Sequence, residues 1–277
     1  MPLSLLLLPL LAQVGPSGAL PQAPLPDRHS RPAVSAPASS SRLKDCLDLA
    51  MQQPASGIEL AEAWLAEARA MNDRAGARQC KALALTRIDG WAEAGALFLA
   101  ARGDTPANEL AERARLGALA GNALLAAGDM AGALAALDTA RVDADAAGDA
   151  ALGGAIRIDR ARALVALGRG EDAAAALGEA RAMVPGNAQA WLLSATLSRR
   201  MGKLGDAQAQ IERAAQLMPV DPEIGLEAGV IAVLSGRDEA ARRSWQSVLQ
   251  AAPGSDAAKT AQGYLDQLGP PPAQSPR

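Results

Sequence analysis

The sequence is poor in the side chains that do most protein chemistry. Of 277 residues one is His and two are Cys, which removes most zinc sites and the usual Ser-His and Cys-His catalytic pairs. Aromatics are almost as scarce, with four Trp, one Tyr and one Phe, too few for a sheet-based fold of this size. Lysine is rare too: 23 of the 27 basic residues are Arg, against 30 acidic ones. The net charge of −3 gives nucleic acid no support as a partner. Long apolar runs are missing as well, because Leu3 to Ala12 is interrupted by Ser4 and Pro9 and falls short of the ~20 residues a membrane-spanning helix needs.

What the chain does have is alanine, 67 residues of it. Alanine gives up no side-chain entropy on entering a helix, so the composition predicts an all-α protein. The apolar start followed by Ser17-Gly18-Ala19 has the pattern of a secretory signal over residues 1–19, with Ala12 a second cleavage point. No Lys or Arg precedes Arg28, which departs from that pattern. Export implies a periplasmic protein; the alternative is a cytoplasmic chain with an apolar start. Residues 20–41 carry Pro21, Pro24, Pro26, Pro32 and Pro37 among Ser and Ala, a composition that sustains neither core nor helix and reads as a linker. The lone His29 falls inside it. Residues 269–277, with four more prolines, read as a tail.

Between these ends the chain repeats itself. Pro185, Pro219 and Pro253 recur every 34 residues, as do Gly168, Gly202 and Gly236. Ala173, Ala207 and Ala241 make a third series of the same period, and Leu177, Ile211 and Trp245 a fourth. The spacing predicts helix hairpins in tandem. Each Gly ends a first helix in left-handed conformation, each Pro stops the second, and the small Ala lies where two helices cross. Asp221-Pro222 supplies an N-cap and a first helical position.

The unit 188–221 resembles the tetratricopeptide (TPR) family in Trp191, Ala195, Ala207, Ile211, Ala214 and Pro219, departing at Ser198 where an aromatic is usual. The next unit has Gly225 where Trp191 stood. Upstream the period loosens, with crossing alanines expected at Ala61, Ala94 and Ala133, large apolar residues at Leu65, Phe98 and Leu137, and second small ones at Ala68, Ala101 and Ala140. A capping box Ser56 to Glu59 is expected to open one helix, and Thr105-Pro106 another. The resemblance implies a right-handed α-solenoid of about six units, roughly 42–74, 75–113, 114–153, 154–187, 188–221 and 222–255. A capping helix over 256–268 would close it.

Motifs for chemistry are weak. Ser41 to Lys44 matches Ser-x-x-Lys but lacks its companion motifs, and Ser41 reads better as an N-cap. Asp143, Asp145 and Asp149 are spaced like a solvated helix end. No metal or cofactor is expected, and no enzymatic activity.

In the TPR family the concave face is lined by set positions of each first helix and binds extended peptides or partner helices. Carried over, these positions are Thr86 and Arg87, then Arg115 and Asn122, then Arg162, then Gln189, Thr196, Arg199 and Arg200. Such a groove holds carboxylates in bidentate fashion and hydrogen-bonds a peptide backbone; the alternative is ordinary solvated helix faces. The family's carboxylate clamp for chaperone tails is not reproduced, because Ala118 and Asp159 stand where Lys and Asn are usual. In the repeat frame Cys46 and Cys80 fall at nearly one level of neighbouring first helices, which makes a disulfide possible, two buried free thiols being the alternative. The functional expectation is a non-enzymatic scaffold for a protein or peptide partner. The second reading is a structural subunit of an envelope or secretion assembly, docking through the convex face or the apolar end near Leu226, Val230 and Val233.

Overall fold

In the computed structural model residues 38–270 are described, and they form thirteen helices. These are α1 (Ala38–Gln52), α2 (Pro54–Glu67), α3 (Met71–Thr86), α4 (Trp91–Asp104), α5 (Leu110–Ala127), α6 (Met130–Ala147), α7 (Ala150–Ala166), α8 (Gly170–Met183), α9 (Ala188–Arg200), α10 (Leu204–Leu217), α11 (Pro222–Leu234), α12 (Asp238–Ala251) and α13 (Asp256–Leu268). Among the described residues there is no strand. The expected signal segment, His29, most of the expected linker and residues 271–277 lie outside this range. The linker's last four positions, 38–41, are helical instead. Ser41 therefore sits inside α1, not at its cap.

Consecutive helices pack as hairpins, and six pairs followed by α13 make the solenoid. The first helices of neighbouring units also touch one another, α1 with α3, α5 with α7, α9 with α11 and α11 with α13; no two second helices approach to a comparable extent. The array is therefore tighter on its first-helix side, which makes that side the inside of the bend. The core runs without a break because each apolar cluster joins one unit to the next. Ala77, Cys80, Ala61 and Trp64 make one cluster, Ala190, Leu164, Leu177 and Ala173 another, and Trp245, Ala232 and Ala261 the last.

Alanine sets the spacing. Ala61, Ala94, Ala133, Ala173, Ala207 and Ala241 are all buried, and a larger side chain at such a crossing would force the hairpin apart. Gly168, Gly202 and Gly236 have φ of +73°, +74° and +70°. The next residue's N–H then reaches back to the first helix, Arg169 to the carbonyl of Leu164, Lys203 to Ser198 and Arg237 to Ala232, at 2.8, 2.8 and 2.9 Å. In the second hairpin Asp89, at φ +60°, does the work of that glycine, as a short polar side chain tolerates. α8, α10 and α12 end two residues before Pro185, Pro219 and Pro253. Asp221 accepts from the N–H groups of Glu223 and Ile224 at 2.9 and 3.0 Å.

Several expectations are corrected. Helices α1, α3, α5 and α7 begin at 38, 71, 110 and 150, not at 42, 75, 114 and 154, one turn earlier in each case. They are 15 to 18 residues long, against 13 for α9 and α11. Ser56 does not cap α2: Pro54 holds the first position after Gln53, and no side chain caps that helix. Thr105 closes α4 instead of opening α5, its hydroxyl donating to Ala101 O at 2.9 Å. The residue before a proline is steered out of helical conformation, so a turn over Pro106 to Glu109 intervenes. Leu65 and Ala68 are only half-buried; Trp64 fills the first unit's core. Asp143 is buried and accepts from Arg102 at 2.6 Å, Asp145 pairs with Arg157 and Arg141, and Asp149 caps α7. The supposed solvated acidic cluster is a set of structural anchors.

The last unit departs from the repeat in a compensated way. Gly225 replaces the Trp191 equivalent and Gly229 the Ala195 equivalent. The indole comes from α12 instead: Trp245 lies where a Cβ on Gly229 would overlap it, and its Nε1 donates to Leu226 O at 3.2 Å. α13 packs over the apolar end, bringing Tyr264 to 5.0 Å from the Trp245 ring and joining Leu226, Val230 and Val233 to the core. α13 covers that end in part, leaving Leu226, Val230 and Val233 half-buried and on cavity walls.

Candidate functional site

The first-helix face of α7, α9, α11 and α13 carries two adjoining cavities. One, of about 210 Å³, lies between α7 and α9 and is lined by Arg162, Val165, Leu193, Thr196, Leu197 and Arg200. The other, of about 510 Å³, continues across α9 to α11 and α13, where Gln189, Leu192, Glu223, Leu226, Val230 and Tyr264 join the wall. Leu193, Thr196 and Arg200 belong to both. Helical spacing explains the arrangement: Gln189, Leu193, Thr196 and Arg200 recur at intervals of three and four along α9 and share one face. The opposite face of α9 places Ala188, Ala195 and Ser194 in the core.

Five expected groove residues are thus brought together, namely Arg162, Gln189, Thr196, Arg199 and Arg200. Their chemical states differ. Arg199 forks the Glu227 carboxylate, Nε to Oε1 at 2.6 Å and Nη2 to Oε2 at 3.2 Å, and so holds α9 to α11. Arg162 bonds Asp159 one turn earlier on its own helix. Arg200 is exposed and has no ion pair or hydrogen bond among the described residues. Of the three arginines lining the groove it is the one without a partner among the described residues.

The remaining expected residues lie elsewhere. The Thr86 hydroxyl donates to Leu83 O at 2.7 Å, and Arg87 is the exposed C-cap of α3. Arg115 forks Glu112 at 2.7 and 2.5 Å, and Asn122 is exposed on α5. None of these lines either cavity. Sequence reasoning did not name Val165, Leu193 or Glu223, and it assigned Leu226 and Val230 to an apolar docking end, not to this groove's floor. Val165 was legible in principle, since an aliphatic residue three positions after Arg162 on one helix face continues the same stripe.

At the other end of the array Cys46 on α1 and Cys80 on α3 are joined by a disulfide across a Cα separation of 5.9 Å. Both are fully buried. Among the described residues no three His, Cys, Asp or Glu side chains are grouped to hold a metal ion, and no helix is long and apolar enough to cross a membrane.

No protein-family model and no curated protein matches the chain. Solved structures do. PilW, described as a widely conserved type IV pilus biogenesis factor, is similar with a TM-score of 0.65 at 18% identity over 81% of this chain and 98% of that one. The pilF protein of Pseudomonas aeruginosa is similar with a TM-score of 0.62 at 12% identity over 82% and 97%. A thermophilic TPR protein of Thermus thermophilus gives 0.52 at 20% identity over 68% and 97%. The fold is the TPR-type α-solenoid, as its Gly, Ala and Pro series imply.

Proposed function

We propose that the protein is an exported, non-enzymatic TPR scaffold that holds a segment of a partner protein across α7, α9, α11 and α13. The observation that carries this reading is Arg200, an unpaired guanidinium shared by two apolar-floored cavities. A partner side chain in the Val165 and Leu193 cavity leaves a neighbouring carboxylate within a guanidinium's reach, and charge-assisted bonds of that kind fix register. Gln189 offers an amide to the backbone of the same segment. Arg199 and Arg162 shape the groove but are already engaged.

Export is supported by the apolar start of the sequence and by the buried cysteine pair, since disulfides persist in oxidising compartments. Intact-mass analysis of protein from cell fractions, with and without reduction before alkylation, tests it. A mass starting near Leu20 or Gln13, with thiols reactive only after reduction, is expected; a full-length cytoplasmic chain with two reactive thiols removes the periplasmic half of the reading.

For the groove, Arg200→Glu is the discriminating variant. It is expected to leave stability within about 0.5 kcal/mol, as exposed substitutions do, while abolishing co-purification of the partner from envelope fractions. The second reading, a structural subunit of an envelope assembly docking through its convex face, draws on the likeness to PilW and pilF along nearly their whole lengths. Under that reading the partner is retained by Arg200→Glu.

A further inference from the structure

A second cavity, remote from Arg200, lies at the N-terminal end of the array. It has a volume of about 380 Å³ and is walled by Leu43 of α1, by Asn72, Gly76 and Gln79 of α3, and by Glu109 and Glu112 at the start of α5. Residues 72, 76 and 79 share one face of α3, and Gly76 keeps the middle of that face low, with the Trp64 indole lying where its Cβ would be. Leu43 stands one turn before Cys46, and Gln79 immediately precedes Cys80, so the disulfide ties the two walls together.

The polar lining points to a ligand. Gln79 is only 6% exposed, yet its amide has no partner among the described residues. The amide is not sealed off, so the small part of Gln79 that stays accessible is a polar group on the cavity wall. Asn72 and the Glu109 carboxylate are exposed and also have no partner among the described residues, while Glu112 is held by Arg115. No Lys or Arg lines the cavity. The nearby cations Arg74 and Arg78 are both engaged by Asp104, and Arg113 is bonded to the carbonyls of Arg102 and Thr105. The cavity thus offers three sets of acceptors, two amide oxygens and a carboxylate, beside an apolar wall. A guanidinium, with five N–H donors in a planar fork and an aliphatic stem, satisfies all of them.

We propose that this cavity takes the arginine side chain of a partner peptide, at a site separate from the Arg200 groove and of opposite charge preference. Selection of random short peptides on the immobilised full-length, oxidised protein tests it. Bound peptides are eluted with arginine amide or with citrulline amide, which has the same shape without the charge. Expected are arginine-rich peptides released by arginine amide and not by citrulline amide. Their affinity should fall about tenfold or more in Glu109→Gln and in Gln79→Leu, as loss of a hydrogen bond to a charged group implies, and stay unchanged in Arg200→Glu. Glu109 is exposed, so that variant keeps the fold, and circular dichroism checks Gln79→Leu. Peptides without arginine enrichment, equal release by citrulline amide, or undiminished affinity in Glu109→Gln would overturn the proposal. Peptides that lose affinity only in Arg200→Glu would overturn it too while leaving the first groove standing.

Discussion

The two ends of the solenoid reach the same hairpin geometry by different means. In the last three units the repeat positions do the work: left-handed glycines at one spacing, buried alanines at the crossings, and Asn187, Asp221 and Ser255 capping α9, α11 and α13. In the first two units α3 lacks the side-chain cap that α7, α9 and α11 have, and Asp89 stands where glycine is used elsewhere; the second helices are uncapped at both ends of the array. There the ties are covalent and ionic. The Cys46 to Cys80 disulfide joins α1 to α3, Lys81 bridges Glu62 and Glu93 at 2.8 and 3.1 Å, and Arg102 spans from α4 to Asp143 on α6. A repeat unit that has lost its consensus residues keeps its place only if something else holds it. The end unit has a neighbour on one side alone, so it depends most on such a tie.

The largest test of this contrast removes the indole from each end. Trp64→Ala and Trp245→Ala should each cost about 3–5 kcal/mol, measured by urea denaturation. Loss of Trp64 should unfold the first hairpin locally, whereas loss of Trp245 should release α13 together with α11 and α12. Reduction of the disulfide, or Cys46→Ser with Cys80→Ser, should cost about 2–4 kcal/mol. Native-state hydrogen exchange should locate that loss in α1 to α3, with α9 to α12 unchanged. A uniform increase of exchange along the chain would contradict the division between the ends. Asp143→Asn should cost about 1.5–3 kcal/mol, because it weakens a charge-assisted bond to a buried carboxylate and leaves the half-buried Arg102 without its counter-charge.

A smaller effect comes from acid. The hydrogen bond from Arg157, together with the charges of Arg157 and Arg141, holds the Asp145 carboxyl below its usual range. A group whose pKa is depressed by folding stabilises the protein above its unfolded value, and that contribution is lost as pH falls through the folded one. Stability should therefore decline below about pH 4. Asp145→Asn should flatten this decline at a cost of roughly 1 kcal/mol near neutrality, since the carboxylate is partly exposed.

Much of the architecture was legible because glycine and proline mark helix ends by backbone geometry, and alanine marks close approach by size. What the repeat frame missed has equally physical causes. Anchoring the early units on their crossing alanines and counting back by the repeat left out one extra turn on α1, α3, α5 and α7, since a longer helix shifts no residue within the frame. Thr105-Pro106 and Asp221-Pro222 are alike in sequence, yet the first hydroxyl turns back to close α4 and the second carboxylate turns forward to cap α11. For the groove, the frame identified the arginines on the right face but not their partners: Glu227 lies 28 residues from Arg199. The unpaired state of Arg200 and of Gln79 emerges only when every neighbour is in place.

The most direct test of the central claim, that the partner lies on the first-helix face, is site-specific photo-crosslinking in cells. A photoreactive residue is placed at Thr196 in the groove or at Ala209, which is exposed on α10. One partner band is expected from Thr196, absent from Ala209 and lost when Arg200→Glu is combined with the Thr196 probe. A band from Ala209 and none from Thr196 would contradict that placement.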